Sequence, residues 1–271
     1  MSSIASPIRS IALGSFDGMH VAHRELTALA EGVAVIERFA SARLTPGYKR
    51  SWYCDRPVIF YLFDRVRDMS AEAFVAKLRE DYPRLEKIVV GYDFRFGRDR
   101  EGRPETLQRL FDGEVMVVSE VTVGGVSVHS RTIREYLGRG DILMANRLLG
   151  RPYAIDGEAI SGQGLGRREF VPTINLAVEG YQLPREGVYA GYTLLEGVRR
   201  PSVIFLGHRV STDGSYAVES HLLDGEPGKL PARIFLEFHR FLRPNRCFET
   251  FAALRAQILS DIEDAGAVLD R

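Results

Sequence analysis

Ser10-Ile-Ala-Leu-Gly-Ser-Phe-Asp-Gly-Met-His20-Val-Ala-His23 is the stretch that decides how the first half of this 271-residue chain folds. Ser10 to Leu13 reads as a buried strand, Gly14 and Gly18 permit a turn whose backbone can approach a ligand closely, and Arg24 to Ala30 reads as a helix. Strand, glycine turn and helix make the repeating unit of a parallel α/β sheet. Such sheets bind ligands at the carboxyl ends of their strands, where helix N–H groups point outward.

Working outward, further apolar runs suit the same sheet: Val33 to Ile36, Val58 to Leu62, Lys87 to Val90 and Val115 to Val118. Between them, Ser70 is placed to cap a helix in which Ala71, Phe74, Val75 and Leu78 recur at helical spacing. From Thr132 to Gly150 the pattern gives two short helices broken at Gly138-Arg139-Gly140, the second capped by Asp141 and closed by Gly150.

Beyond Arg151-Pro152 the periodicity changes to two. Tyr153 to Glu158, Val188 to Leu195, Ser202 to Phe205, Tyr216 to Leu223 and Ala232 to His239 read as strands of a small antiparallel barrel. An amphipathic helix, about Phe248 to Ala265, ends the chain, with Phe251, Leu254, Ile258 and Ile262 on one stripe. The expected organisation is therefore α/β plus β: a Rossmann-like parallel-sheet domain over 1–150 and a small β-barrel domain with a terminal helix over 151–271.

Composition excludes several classes of function. Lys+Arg and Asp+Glu both total 36, so no whole-chain field favours nucleic acid or an anionic membrane, and phosphate binding must be local. Cys54 and Cys247 have neither metal-ligand nor redox spacing. No stretch approaches the ~18 apolar residues of a membrane span, and no signal-peptide pattern opens the chain, so a cytoplasmic protein is expected.

The chemistry-bearing residues lie at the ends of these elements. His20 and His23, three apart, can face one side of the turn entering the first helix and donate N–H bonds to a triphosphate. Taken alone, such a histidine pair is more often a partly exposed turn than a site. Thr173 and Asn175 alternate along a strand and share a face, as do Glu219 and His221. A hydroxyl and an amide oxygen suit Mg²⁺, and a carboxylate can take a proton from a hydroxyl.

These segments together resemble the bacterial bifunctional riboflavin kinase/FAD synthetase family. Gly14 to His23 is similar to its G-x-F-D-G-x-H-x-G-H nucleotidyltransferase motif, with Ala22 in place of a glycine. Val90-Gly-Tyr-Asp-Phe-Arg-Phe-Gly97 is similar to a second block of that family, and Val128-His-Ser-Arg-Thr-Ile-Arg134 to its I-S-S-T-x-I-R block. His129 and Arg131 depart from the last pattern. The family's Phe-x-Pro-His-Pro segment is replaced by Phe39 to Lys49.

In the second half, Gly162-Gln-Gly-Leu-Gly-Arg167 with Val171-Pro-Thr-Ile-Asn175 resembles the riboflavin kinase loop and its Pro-Thr-x-Asn, although Glu169-Phe170-Val171 stands where Leu-Gly-Phe is usual. Leu183 to Ala190, Val218-Glu-Ser-His-Leu-Leu-Asp224 and Phe241 to Phe248 also match in order.

The resemblance implies riboflavin phosphorylation by ATP in the second domain and adenylylation of FMN to FAD, releasing pyrophosphate, in the first, with Mg²⁺ in both. It implies a catalytic base at Glu219 and transfer chemistry at His20 and His23. Phosphate or nucleotide contacts fall to Gly14, Phe16, Asp17, Gly18, Ser130, Arg134, Gly162, Gly164, Gly166 and Arg167. It implies flavin contacts from Asp93, Phe94, Arg95, Phe96 and Arg243, and metal contacts from Thr173 and Asn175. The alternatives are a riboflavin kinase with a degenerate first domain, or a non-catalytic flavin-binding regulator that would not need Glu219.

Overall fold

The structure, a computed structural model, describes residues 7–38, 42–160, 171–209 and 214–269. These fall into two compact units that divide between Ser130 and Arg131.

The first unit holds β1 (Ser10–Gly14), α1 (Val21–Ala28), β2 (Gly32–Glu37), β3 (Val58–Leu62), α2 (Phe63–Val66), α3 (Ala71–Asp81), β4 (Lys87–Gly91), α4 (Pro104–Leu110), β5 (Glu114–Val118) and the short strands β6 (Thr122–Val123) and β7 (Val126–Ser127). β1 to β5 form one parallel sheet in the order β3-β2-β1-β4-β5, the doubly wound arrangement the alternating pattern implies.

The central strands are buried on both sides, which is why they read as continuous apolar runs. Ile11, Leu13, Ala34, Ile88 and Val90 face one layer with Phe74, Val75, Leu78 and Leu107. Ala12, Val33, Val35 and Val89 face the other with Leu26 and Ala30. Alternate residues of a strand point to opposite faces, so each strand serves both cores. Ser70 caps α3 as expected, its hydroxyl accepting from Ala73 N at 3.2 Å. The hairpin of β6 and β7 was not foreseen; Gly124 and Gly125, both at positive φ, make its turn.

The second unit contains most of α5 (Ser130–Arg139), then α6 (Ile142–Leu149), β8 (Tyr153–Ile160), β9 (Ile174–Ala177), β10 (Gly187–Leu195), β11 (Val198–His208), β12 (Tyr216–Leu222), β13 (Ile234–Pro244) and α7 (Phe251–Leu269). Asp141 caps α6 through Met144 N at 3.0 Å, and Gly150 ends it in the left-handed conformation.

The strands close into an antiparallel barrel in the order β10-β11-β12-β9-β8-β13. β9, the strand on which Thr173 and Asn175 were expected to alternate, supplies the sixth strand of the barrel; it begins at Ile174, so Thr173 lies just outside it. It bridges β12 and β8, and so completes the closure. The barrel buries Ile155, Ile174, Tyr189, Ile204, Leu236 and Phe238. Its buried hydroxyls satisfy one another: Ser202 donates to Thr193 at 2.9 Å, and Thr193 and Ser220 lie 2.5 Å apart.

α7 packs on β10, β11 and β13. Leu254, Ile258 and Ile262 of the expected stripe are half-buried and are joined there by the buried Asp261 and Ala265, whereas Phe251 is 58% exposed. An ion pair explains the buried carboxylate: Arg243 of β13 donates Nε and Nη2 to the two oxygens of Asp261 at 2.7 and 2.6 Å. No helix among the described residues is long and apolar enough to cross a membrane.

Candidate active sites

In the first unit the turn from β1 into α1 lies at the carboxyl edge of the sheet. Phe16, Gly18 and Met19 all adopt positive φ, at 50°, 89° and 41°. Only Gly18 does so without steric cost; left-handed non-glycine residues concentrate at functional turns. α1 starts at Val21, three residues earlier than periodicity suggested, because the His20 ring is its cap. His20 Nδ1 accepts from His23 N at 3.3 Å, which leaves the proton of the neutral ring on Nε2. The two imidazoles stack with centroids 3.5 Å apart, and Phe16 meets His23 edge-on at 5.1 Å.

Asp17 turns inward, only 1% exposed. Its carboxylate accepts from Leu44 N at 3.3 Å and Thr45 N at 3.1 Å, while its carbonyl accepts from Ser130 Oγ at 2.7 Å. Arg50, itself 1% exposed, lies 3.9 Å from Asp17 and forms a close pair with Glu37. Thus Leu44 and Thr45, in the stretch that stands where the family has Pro-His-Pro, are tied to the turn through Asp17, beside the buried Arg50–Glu37 pair. Arg50 lies outside every motif read from the sequence.

At the end of β4, Asp93 is exposed, and Phe94 and Arg95 are half-buried. Phe96 is buried, stacking on Phe94 at 5.6 Å and contacting Phe74 at 5.7 Å, so its ring is used in packing. Nearby, the Tyr92 hydroxyl lies 3.2 Å from both Glu120 Oε1 and His129 Nε2, and Ser127 donates to Glu120 at 2.6 Å. Burial, then the Glu120 carboxylate, push the Tyr92 hydroxyl above the ordinary phenol range. Hydrogen bonds from Ser127 and Tyr92 hold Glu120 below the ordinary carboxylate range.

Arg134 belongs to the second unit, half-buried on α5. Gly162, Gly164, Gly166 and Arg167 lie outside the described residues.

The barrel brings Asn175 and Glu219 together as direct partners of the β9–β12 ladder. β12 alternates as expected, with Val218, Ser220 and Leu222 buried and Glu219 and His221 on the other face. His221 Nδ1 bonds the Pro172 carbonyl at 2.8 Å, which makes Nδ1 the donor and ties β12 to the Pro-Thr-Ile-Asn segment. Thr173, just before β9, is exposed.

Sequence reasoning missed Arg209, which donates Nε and Nη2 to Glu219 Oε1 at 2.9 and 2.6 Å, and Nη2 to Asn175 Oδ1 at 2.6 Å. Arg243, expected at the flavin, is held by Asp261.

No group of three or more His, Cys, Asp or Glu among the described residues could hold a metal by itself. The Asn175 oxygen accepts from Arg209 Nη2 and keeps a second lone pair, and one such amide oxygen beside one carboxylate suits a hard cation carried mainly by phosphate oxygens and water, as Mg²⁺ is.

Comparison with known proteins follows the same division. A family model for riboflavin kinase matches residues 149–269, and one for FAD synthetase matches residues 54–132. A bifunctional riboflavin kinase/FMN adenylyltransferase of Pseudomonas fluorescens is 30% identical over 284 residues, covering 94% of this chain and 91% of that protein. Its Escherichia coli K12 counterpart is 30% identical over 283 residues, covering 93% and 90%. A crystal structure described as a macrolide-efflux protein from Streptococcus pneumoniae superposes with a TM-score of 0.83 over 95% of this chain and 94% of that one. At 23% identity that likeness is one of fold. With both family models matched in order and two relatives aligned over nearly their whole length, the chain belongs to the bifunctional riboflavin kinase/FMN adenylyltransferase family.

Proposed function

We propose that residues 151–271 phosphorylate riboflavin with ATP and that residues 1–150 join the resulting FMN to AMP from a second ATP. The observation that carries the kinase reading is the Asn175–Glu219 pair. It sets an amide oxygen beside a carboxylate on one face of the barrel.

In phosphorylation, Glu219 takes the proton of the riboflavin 5′-hydroxyl as that oxygen attacks the γ-phosphorus and the bond to ADP breaks. Thr173 and Asn175 would hold Mg²⁺, which when bound neutralises charge on the triphosphate. His221 keeps their segment against β12. The loop with Gly162, Gly164, Gly166 and Arg167 is assigned to the nucleotide on its resemblance alone.

In adenylylation, an FMN phosphate oxygen attacks the α-phosphorus of ATP and pyrophosphate leaves, with no covalent enzyme intermediate. The Nε2–H of His20, the adjacent His23 and the N–H groups opening α1 stabilise charge on the departing phosphates. Gly14, Phe16 and Gly18 shape the turn. Asp17 holds that turn to the neighbouring loop and, through Ser130, to the start of α5. Arg134 is assigned a phosphate contact on its resemblance alone. Asp93, Phe94 and Arg95 remain the flavin-facing candidates, whereas Phe96 and Arg243 serve packing.

Incubating the purified chain with riboflavin, ATP and Mg²⁺, and separately with FMN, ATP and Mg²⁺, tests both halves by chromatography of the flavins. FMN must form in the first reaction and FAD in the second. No FAD at any enzyme concentration removes the adenylyltransferase assignment and leaves a kinase.

A further inference from the structure

Arg209 follows the last residue of β11, outside every motif that points to flavin chemistry. Its backbone is fixed where the side chain departs: Arg209 N donates to Ser215 O at 2.8 Å, and Gly214 N donates to Arg209 O at 3.1 Å. From there the guanidinium spreads over three partners among the described residues. Nη1 donates to Ser215 Oγ at 2.8 Å, Nε and Nη2 converge on Glu219 Oε1, and Nη2 also reaches Asn175 Oδ1. The side chains of Arg209 and Glu219 are each 21% exposed, so water screens the pair only partly.

The β9–β12 ladder places the Cα atoms of Asn175 and Glu219 opposite one another, but it does not fix their terminal torsions. Those of Asn and Glu are broad and shallow. A single nitrogen within 2.6 Å of both oxygens removes that freedom. Both bonds to Glu219 fall on Oε1. Among the described residues no hydrogen bond reaches Oε2, the oxygen left to meet a hydroxyl.

We propose that Arg209 is a positioning residue for riboflavin phosphorylation, locking the base and the metal-facing amide into one rigid pair. This rests on the assignment of Glu219 as base. Arg209 acts through Glu219 and Asn175 rather than on the substrate. A planar fork is needed because a lysine ammonium is a point charge that cannot hold two acceptors in fixed directions. The competing role is structural: through Ser215, Arg209 would only close the β11–β12 hairpin.

The test uses full-length Arg209→Met, Arg209→Lys, Ser215→Ala, Glu219→Gln and the Arg209→Met/Glu219→Gln double variant. Riboflavin phosphorylation is measured as kcat and KM, and thermal melting checks folding. Arg209→Met should lower kcat on the order of 10- to 100-fold, the scale of a small misplacement of a reacting group, with a smaller change in the riboflavin KM. Arg209→Lys should recover part of that loss. The double variant should be no slower than Glu219→Gln, because the arginine works through the carboxylate.

Ser215→Ala should keep kcat within about twofold, since it loses only the hairpin bond and a surface-type change of that kind costs little. A fall there as large as that of Arg209→Met would assign the effect to the hairpin and overturn the proposal. So would a folded Arg209→Met, or Arg209→Lys if the methionine variant does not fold, with wild-type kcat while Glu219→Gln is inactive. In that case Glu219 would stand as the base without its clamp. Wild-type turnover in Glu219→Gln would instead remove the base assignment, and the clamp with it.

Discussion

Glu219 and Asn175 face each other across β12 and β9, bound to the same Arg209 nitrogen at 2.6 Å each. Under the proposed mechanism this carboxylate receives the proton of the attacking hydroxyl, and the amide faces the metal. Glu219→Gln keeps the shape and removes the basicity. FMN formation should fall by at least about 100-fold, the low end of general-base contributions, while FAD formation from supplied FMN continues. Near-normal riboflavin phosphorylation in this variant would take Glu219 out of the mechanism.

Chelation offers a check on the amide. Removing Mg²⁺ should stop both reactions and returning it should restore them. Asn175→Ala should raise the Mg²⁺ concentration needed for half-maximal riboflavin phosphorylation without altering that of adenylylation. An unchanged Mg²⁺ requirement would show that Asn175 does not meet the metal.

The double role of His20, cap and phosphate donor, can be separated. His20→Ala loses both, so α1 should also lose about 0.5–2 kcal/mol of capping stabilisation. His20→Asn keeps a capping oxygen but no imidazole N–H at the Nε2 position. FAD synthesis should collapse in both variants, whereas the melting temperature of the first unit should drop only in the alanine variant. Normal FAD synthesis in a well-folded asparagine variant would confine His20 to capping.

Arg50 carries a different burden. It is buried against Glu37 and Asp17, so Arg50→Met leaves two carboxylates without their cation. Breaking a buried pair in this way costs about 3–5 kcal/mol, and denaturant unfolding followed by Trp52 fluorescence should show the first unit weakened by that amount. A loss under about 1 kcal/mol, the scale of an exposed pair, would mean that the cluster is far better hydrated than its burial implies.

In the barrel, a Cβ on Gly191 would overlap the backbone carbonyl of Glu237 on β13. Gly191→Ala should destabilise the second unit by at least about 1–3 kcal/mol, because backbone cannot yield as a flexible side chain can. Unaltered thermal unfolding would contradict the close approach of β10 and β13.

Much of this molecule was legible along the chain. β1, β2 and β4 could be read from apolar runs because both their faces are buried, and α3 and α6 from Ser70, Asp141 and Gly150, whose capping bonds form within a few residues. The alternation of β12 correctly put Glu219 and His221 on one face. These are local properties: periodicity and capping depend on neighbours in sequence, so the sequence carries them openly.

Other features had no local signal. The strand through Asn175 was read from sequence, but its place between β12 and β8, which closes the barrel, was not. The stripe of Leu254, Ile258 and Ile262 does turn inward, but Phe251 at its start does not, and the buried Asp261 has its reason in Arg243 on another strand. Phe96 and Arg243 belonged to flavin motifs, and the fold spends one in a ring stack and the other in an ion pair. Arg50 and Arg209 lie outside every motif read from the sequence. A charged side chain takes its role from the groups that converge on it through space, and only folding brings those together. The positions of most strands along the chain and the types of chemistry were therefore written in local pattern, whereas the order of strands in each sheet and the partnership of Glu219, Asn175 and Arg209, where β9, β12 and the end of β11 meet, exist only in the folded chain.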